Sequence, residues 1–549
     1  MRAVVLGLAL LSLPVRAQDT SMAGMHMAMP MADGHGHRMP PMPAGMLMMP
    51  GLDGVSPQVT AFLPSGSTTP AVPGTVVELK DGDTLTLDAR LVTRTINGAT
   101  VTTYAYNGQI PGPLIRVKQN TTFVVRFTNH IDLPSSIHWH GVRLDNQYDG
   151  IGGVESGASF IYKVRVPDAG LFWYHPHIRE DIEQGLGLFG NLRVDSPDPA
   201  YYNPVNAEAT LLLDDVLVDK SGLIPYGKEG ANFAIMGRFG NVLLVNGQPR
   251  YHLDVRRGDV VRFLLTNASN ARSYNIDFAG AKLKLVATDQ SRYEREMPVT
   301  SVVIAPAQRF IVEGRYDSAG TFPIANRVQA VSNFAAEYSV ETDTLGTVTV
   351  SPARTTADHA REFAALRSVS DVSKDIDRFR PQFDRPPDHT LILTVNIQGL
   401  PRSLVQFMAI DTMYFNPVEW NDGMPDMNWV STSREVRWIM RDSATGKENM
   451  DIDWPHVHAG QMMKIRIHND ERSMHPMAHP IHFHGQRFLV IDRDGVRNTN
   501  LAWQDTELVP VGTTEDLLLD ASNPGVWMAH CHIAEHLDAG MMMRFTVDP

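Results

Sequence analysis

From about Val72 onward the chain alternates apolar and polar residues in short runs separated by turn-forming clusters. Thr84-Leu85-Thr86-Leu87 is one such run, and Thr95-Ile96-Asn97-Gly98-Ala99-Thr100-Val101 places Asn-Gly between two others. A period of two predicts half-buried strands, and Asn-Gly supplies the positive-φ pair of a tight hairpin. The turn cluster Tyr106-Asn107-Gly108-Gln109-Ile110-Pro111-Gly112-Pro113 follows, then a strand over 121–129. Strands and turns continue to about Asp195, which predicts a β-sandwich.

The pattern then recurs. Val245-Asn246-Gly247-Gln248-Pro249 echoes the first Asn-Gly-Gln turn, and 257–267 and 459–469 echo the first 121–129 strand. This periodicity predicts an all-β chain of three sandwiches at 72–197, 198–352 and 388–549. A charged linker at 353–387 joins the last two, with a short amphipathic helix expected over 357–366.

The first 71 residues read differently. Met1-Arg2, an apolar run to Val15 and small residues before Gln18 form a secretory signal peptide over 1–17. That run is too short to span a bilayer, and no other stretch is long and apolar enough. Residues 18–71 form a flexible tail and linker. Up to about residue 50 the tail carries ten methionines with His26, His35 and His37 among scattered Gly and Pro. No core face can form there, whereas thioether and imidazole suit Cu(I), so copper capture is expected. Export to the periplasm or outside the cell follows, and a monomer is expected.

Export changes the meaning of the cysteine count. The chain has one cysteine, Cys531, which cannot form a disulfide within the chain. Metal ligation would protect such a thiol. The net charge of −13 over 549 residues is mild and argues against nucleic acid as a partner.

Cys531 sits in His530-Cys531-His532-Ile533-Ala534-Glu535-His536-Leu537-Asp538-Ala539-Gly540-Met541. On a strand His530 and His532 share one face and Cys531 takes the other, so one tripeptide addresses two metal sites. His536 and Met541 follow in what reads as a loop able to fold back to the cysteine side. Two histidines, a cysteine and a weak methionine are the ligands of a blue copper centre. In His479-Pro480-Ile481-His482-Phe483-His484, His479 lies on the face opposite His482 and His484, so it is the natural second histidine. The pairs His138/His140, His175/His177, His482/His484 and His530/His532 remain. Eight imidazoles exceed what a single zinc needs and can hold several transition metals. His456 and His458 read as strand or loop surface, and His475 as solvent-exposed.

His-Trp-His-Gly from His138, His-Pro-His from His175, His-Pro-x-His-x-His-Gly from His479 and the cysteine stretch occur here in the order of the four copper motifs of the multicopper oxidases. Over roughly residues 72–549 the chain resembles that family, and within it the bacterial three-domain laccase-like and copper-tolerance oxidases. The resemblance implies three consecutive cupredoxin-like Greek-key domains and four copper ions. It implies type 1 copper at His479, Cys531, His536 and Met541, and type 2 copper at His138 and His482. One type 3 copper would take His140, His175 and His532, and the other His177, His484 and His530. Asp149 matches the acid that the family places beside the cluster for proton delivery. A second acid often follows the residue matching His536, but here that position is Leu537.

The resemblance further implies one-electron oxidation of a reductant, taken up through an exposed edge of His479 or His536, coupled to four-electron reduction of dioxygen to water. Met408, Met413, Met424, Met427 and Met440 offer a soft docking site for Cu(I), with phenols and aromatic amines as further reductants. A laccase without a copper-tolerance role is the alternative. A non-catalytic cupredoxin would not need eight histidines, and copper nitrite reductases have two domains and lack this His-Cys-His.

Overall fold

A computed structural model describes residues 59–332, 337–400, 418–420 and 431–549. The signal segment, the Met/His-rich tail up to residue 58, and Met408, Met413, Met424 and Met427 lie outside the described residues.

Three two-sheet sandwiches follow one another along the chain. In the first, a four-stranded sheet containing Thr84–Ile96 and Ala99–Tyr106 packs on five strands that end in Gly170–His175 and His138–His140. The second sets a sheet with Ala207–Val216 and Val260–Asn267 against one with Gly320–Ser332 and Glu337–Arg354. The third sets His389–Ile397 and Gln461–Asn469 against a sheet containing His479–Phe483 and Gly525–Cys531.

Each sandwich pairs an early strand in parallel with the echo strand found in the sequence. The pairs are Thr84–Ile96 with Thr122–Asn129, Ala207–Val216 with Val260–Asn267, and His389–Ile397 with Gln461–Asn469. Parallel neighbours cannot be joined by a hairpin, so the chain crosses to the other sheet between them. Repeated three times, this is the cupredoxin-like Greek key. The Asn97-Gly98 turn forms as read, with φ of 49° and 84° and Ile96 opposite Ala99.

The asparagine that ends each echo strand ties two loops together. Asn129 Nδ2 donates to the carbonyls of Leu133 and Val154 at 2.7 and 2.8 Å. Asn267 donates to those of Arg272 and Ile304 at 2.8 and 3.0 Å, and Asn469 to those of Met477 and Val509 at 2.7 and 2.9 Å. All three side chains are buried, so their loss leaves carbonyls without partners. Asn267→Ala is expected to cost roughly 1–3 kcal/mol, read as a lower urea midpoint for the middle domain's transition. An unchanged midpoint would remove this asparagine from the account.

The linker is docked rather than free. Helix Ala360–Ala364 lies within the stretch read as helical, and a second helix, Ser370–Asp377, was not apparent from the sequence. Val372, Ile376 and Phe383 join Leu489 and Trp503 in one apolar cluster, and Trp503 Nε1 donates to Asp375 at 2.8 Å. The end of the stretch read as tail is also tied down, because Ala61–Phe62 pairs with Tyr226–Gly227.

Candidate metal centre

The four histidine pairs converge where the first and third sandwiches meet. In the first, strand His138–His140 pairs with Gly170–His175, setting His138 opposite His175. In the third, His479–Phe483 pairs with Gly525–Cys531, setting His482 opposite His530 and Ile481 opposite Cys531. Cross-strand partners share a face, so His482 and His530 point one way and Cys531, with His479 two residues from Ile481, the other.

The His177, His484 and His530 Nε2 atoms lie 2.9–3.4 Å from one another. His140 Nδ1 lies 3.4 Å from His175 Nε2, and the His532 ring centroid is 5.0 and 5.1 Å from those two rings. The nitrogens of His138, His482 and His484 fall within 4.8 Å of one another. Each group mixes side chains from the two sandwiches, so neither domain alone assembles the cluster.

Most of these imidazoles are held by their Nδ1–H. His138 donates to the Asp149 carbonyl at 2.9 Å, His175 to Pro176 at 2.8 Å, His482 to Asp505 at 2.8 Å and His530 to Cys531 at 2.9 Å. His484 donates to Asp149 Oδ2 at 2.8 Å, and Asp149 Oδ1 lies 3.2 Å from His138 Nδ1. With Nδ1 tied, Nε2 faces the cluster as a lone-pair donor. His140 is reversed: its Nε2 donates to Asp505 Oδ1 at 3.0 Å, which leaves Nδ1 inward.

The donor set fits copper. His138 Nε2, His482 Nε2 and His532 Nε2 are buried without any protein hydrogen-bond partner. A buried polar nitrogen left so is costly unless a ligand completes it. Burial lowers His177 and His479 to about 3, so these imidazoles are neutral and able to ligate.

On the other face Cys531 Sγ lies 3.5 Å from His479 Nδ1 and 3.8 Å from His536 Nδ1, and those nitrogens are 3.4 Å apart. The Ile533 N–H donates to the sulfur at 3.4 Å. Burial pushes the thiol well above its ordinary range, and the Ile533 donor only partly offsets this, so a bound cation is what would hold it as thiolate. Met541 is fully buried, and its carbonyl accepts from the Cys531 N–H at 3.0 Å.

Several expectations are corrected here. His536 sits on a one-turn helix, Ala534–Asp538, rather than in a loop. Neither His479 nor His536 presents an exposed edge: they are 1% and 0% exposed. Trp438 stacks on His536 with centroids 4.1 Å apart and packs edge-on against His479 at 4.9 Å. His475 is buried too, its ring 6.3 Å from that of Trp438, because the segment carrying it folds in beside the third core. Met440 is a core residue, with no exposed sulfur to offer a metal. His456 and His458 lie on the surface as read.

Trp438 and Asp505 carry no motif and were missed. Glu180 was missed as well: buried 3.4 Å from His177, it follows His-Pro-His on the short helix Glu180–Glu183, and that placement was its only sequence signal. Asp149 is likewise buried. Burial alone would raise its carboxyl, but His484 and His138 outweigh that and hold it well below the usual range.

Sequence profiles described as multicopper oxidase match residues 88–199, 214–345 and 421–549. The chain is 26% identical to multicopper oxidase MmcO of Mycobacterium tuberculosis, over 82% of this chain and 84% of that one. It is 24% identical to laccase-1 of Botryotinia fuckeliana, over 82% and 80%. A crystal structure of a multi-copper oxidase from Pseudomonas thermotolerans superposes with a TM-score of 0.59 at 25% identity, covering 86% of this chain and all of that one. A Campylobacter jejuni multicopper oxidase described as a metallo-oxidase gives 0.65 at 20% identity, covering 90% and 99%.

Proposed function

The chain belongs to the multicopper oxidase family, and from that premise we propose that it oxidises Cu(I) one electron at a time, reducing dioxygen to water in a role in copper tolerance. The observation that carries the reading is the strand Gly525–Cys531 and the residue after it, which send His530 and His532 to the histidine cluster on one side and Cys531 to His479 and His536 on the other.

In this reading Cys531, His479, His536 and Met541 hold type 1 copper, and His138 and His482 hold type 2 copper. His140, His175 and His532 hold one type 3 copper, and His177, His484 and His530 the other. When bound, the four copper ions store electrons singly and deliver four to dioxygen. Buried carboxylates and carbonyls fix the imidazoles, and the packed junction excludes bulk water from the cluster. The Asp149 carboxylate, 2.8 Å from His484 Nδ1 and 3.2 Å from His138 Nδ1, meets one histidine of each sandwich and is the group proposed to relay protons beside the cluster.

Burial of both type 1 imidazoles beside Trp438 supports a small reductant over a bulky phenol pressed against an imidazole edge. The methionine-rich tail supports Cu(I) as that reductant, the signal segment read over 1–17 supports a periplasmic or secreted location, and the repeated strand pattern supports domain limits of 72–197, 198–352 and 388–549. Among the described residues no helix is long and apolar enough to cross a membrane.

The test is oxygen uptake by the copper-loaded protein with Cu(I) or a bulky phenol, with and without residues 18–50. Higher kcat/KM for Cu(I), reduced by tail removal, is expected. Oxidation of the phenol alone would make the protein a general laccase, and copper binding without turnover would make it a storage cupredoxin.

Met541→Leu is expected to raise the type 1 potential, because thioether donation favours Cu(II) slightly over Cu(I). Redox titration of the blue band reads it. An unchanged potential with full copper would exclude Met541 from the type 1 ligands and point to Met543.

A further inference from the structure

The middle sandwich supplies none of the proposed copper ligands, yet one of its side chains reaches the cluster's supports in both other domains. Arg309 opens the strand Arg309–Tyr316 and is 0% exposed. Its Nη1 and Nη2 donate to Asp505 Oδ1 and Oδ2 at 2.7 and 2.6 Å, a two-point contact into the third sandwich. Its Nε donates to the Leu171 carbonyl at 2.9 Å, on the first-sandwich strand that ends in His175.

Asp505 in turn holds histidines of both outer domains. Its Oδ1 accepts from His140 Nε2 at 3.0 Å, and its backbone carbonyl accepts from His482 Nδ1 at 2.8 Å. Two neighbours from the middle domain secure it further. Asp289 accepts from the Asp505 and Thr506 N–H groups at 3.2 Å, and Gln290 Nε2 donates to Asp505 Oδ2 at 3.2 Å. Asp289 also accepts from the Arg309 N–H at 2.9 Å. Gly141, directly after His140, shows how closely the parts fit. A Cβ there would lie 2.4 Å from Asp505 Oδ2 and 2.6 Å from Arg309 Nη2, at a φ of +81°.

We infer that Arg309 is a positioning residue for the trinuclear copper site: by fixing the rotation of the Asp505 carboxylate it decides which His140 nitrogen faces the cluster. The inference rests on the ligand assignment proposed above. An Asp505 free to rotate would release His140 Nε2, and the imidazole could then turn its other nitrogen inward. A ligand held by its partner hydrogen bond loses about 10–100-fold in metal affinity when that partner goes. The middle domain is therefore part of the metal site, through this guanidinium together with Asp289 and Gln290.

The test compares copper-loaded wild type with Arg309→Gln, Arg309→Lys and the double variant Arg309→Gln/Asp505→Asn, which does not leave Asp505 charged and without its guanidinium. Copper content, the blue type 1 absorption and the type 2 electron paramagnetic resonance signal are read on each, with the melting temperature of the metal-free form. Arg309→Gln is expected to keep the blue band and lose affinity for the copper assigned to His140, His175 and His532 by about 10–100-fold, read as a loss of copper content. Arg309→Lys, with the charge but not the fork, is expected to fall between it and wild type. If Arg309→Gln does not fold, the double variant decides by the same signals. Four coppers with an unaltered type 2 signal, whatever the melting temperature, would overturn the inference, as would parallel loss of the blue band. Failure of the ligand assignment is distinguishable, because wild type itself would then lack a type 2 signal or hold fewer than four coppers.

Discussion

Cys531→Ser should abolish the blue absorption of the copper-loaded protein and bring oxygen consumption to background, while the copper held by the histidine cluster remains. Cys531 is the chain's one thiol, so no neighbour can take over the sulfur–copper charge transfer. It is also the covalent step between the two donor groups: His530 and His532 flank it on the strand. A serine oxygen occupies nearly the same volume and leaves the Gly525–Cys531 pairing with His479–Phe483 intact, so the cluster side persists. Absorption spectroscopy and copper analysis check this, and a variant that stays blue would exclude Cys531 as the type 1 ligand. The same site predicts a pH effect. Burial raises the Cys531 thiol, so copper uptake must displace its proton, and affinity at this site falls as pH falls. The expected slope is about tenfold per pH unit for the one proton released.

Asp149→Asn should slow dioxygen reduction by about 10²-fold or more, the scale of a lost acid–base group. Asp149 meets His484 through Oδ2 at 2.8 Å and lies 3.2 Å from His138 through Oδ1. An asparagine keeps one acceptor and turns an amide N–H toward the other imidazole donor, so one contact becomes repulsive. It also removes the anion that those imidazoles stabilise. Reduction of the blue band by substrate without oxygen should be nearly unchanged, because Asp149 has no part in the Cys531 group. Stopped-flow measurement of both half-reactions separates the outcomes. Equal slowing of the two would place the defect in electron uptake and rule out the proton role.

The strands, the Asn97-Gly98 hairpin and the threefold repeat were legible because a period of two and a positive-φ turn pair are properties of neighbouring residues. The two-faced arrangement of His530, Cys531 and His532 was legible for the same reason, and parity alone puts His479 on the cysteine side. The short helix carrying His536 escaped that reading, since one turn leaves no periodic trace.

Local pattern therefore fixes which donors exist and which face of each strand they occupy. How those donors are held and covered depends on contacts between distant parts of the chain. Asp505 reaches His140 across 365 residues and Arg309 reaches Asp505 across 196, so no local pattern could pair them. Trp438 covers His536, and folding buries His475, through packing between distant strands. Alternation says that a side chain turns inward, but hydrogen bonding and exposure depend on what the rest of the chain brings opposite it.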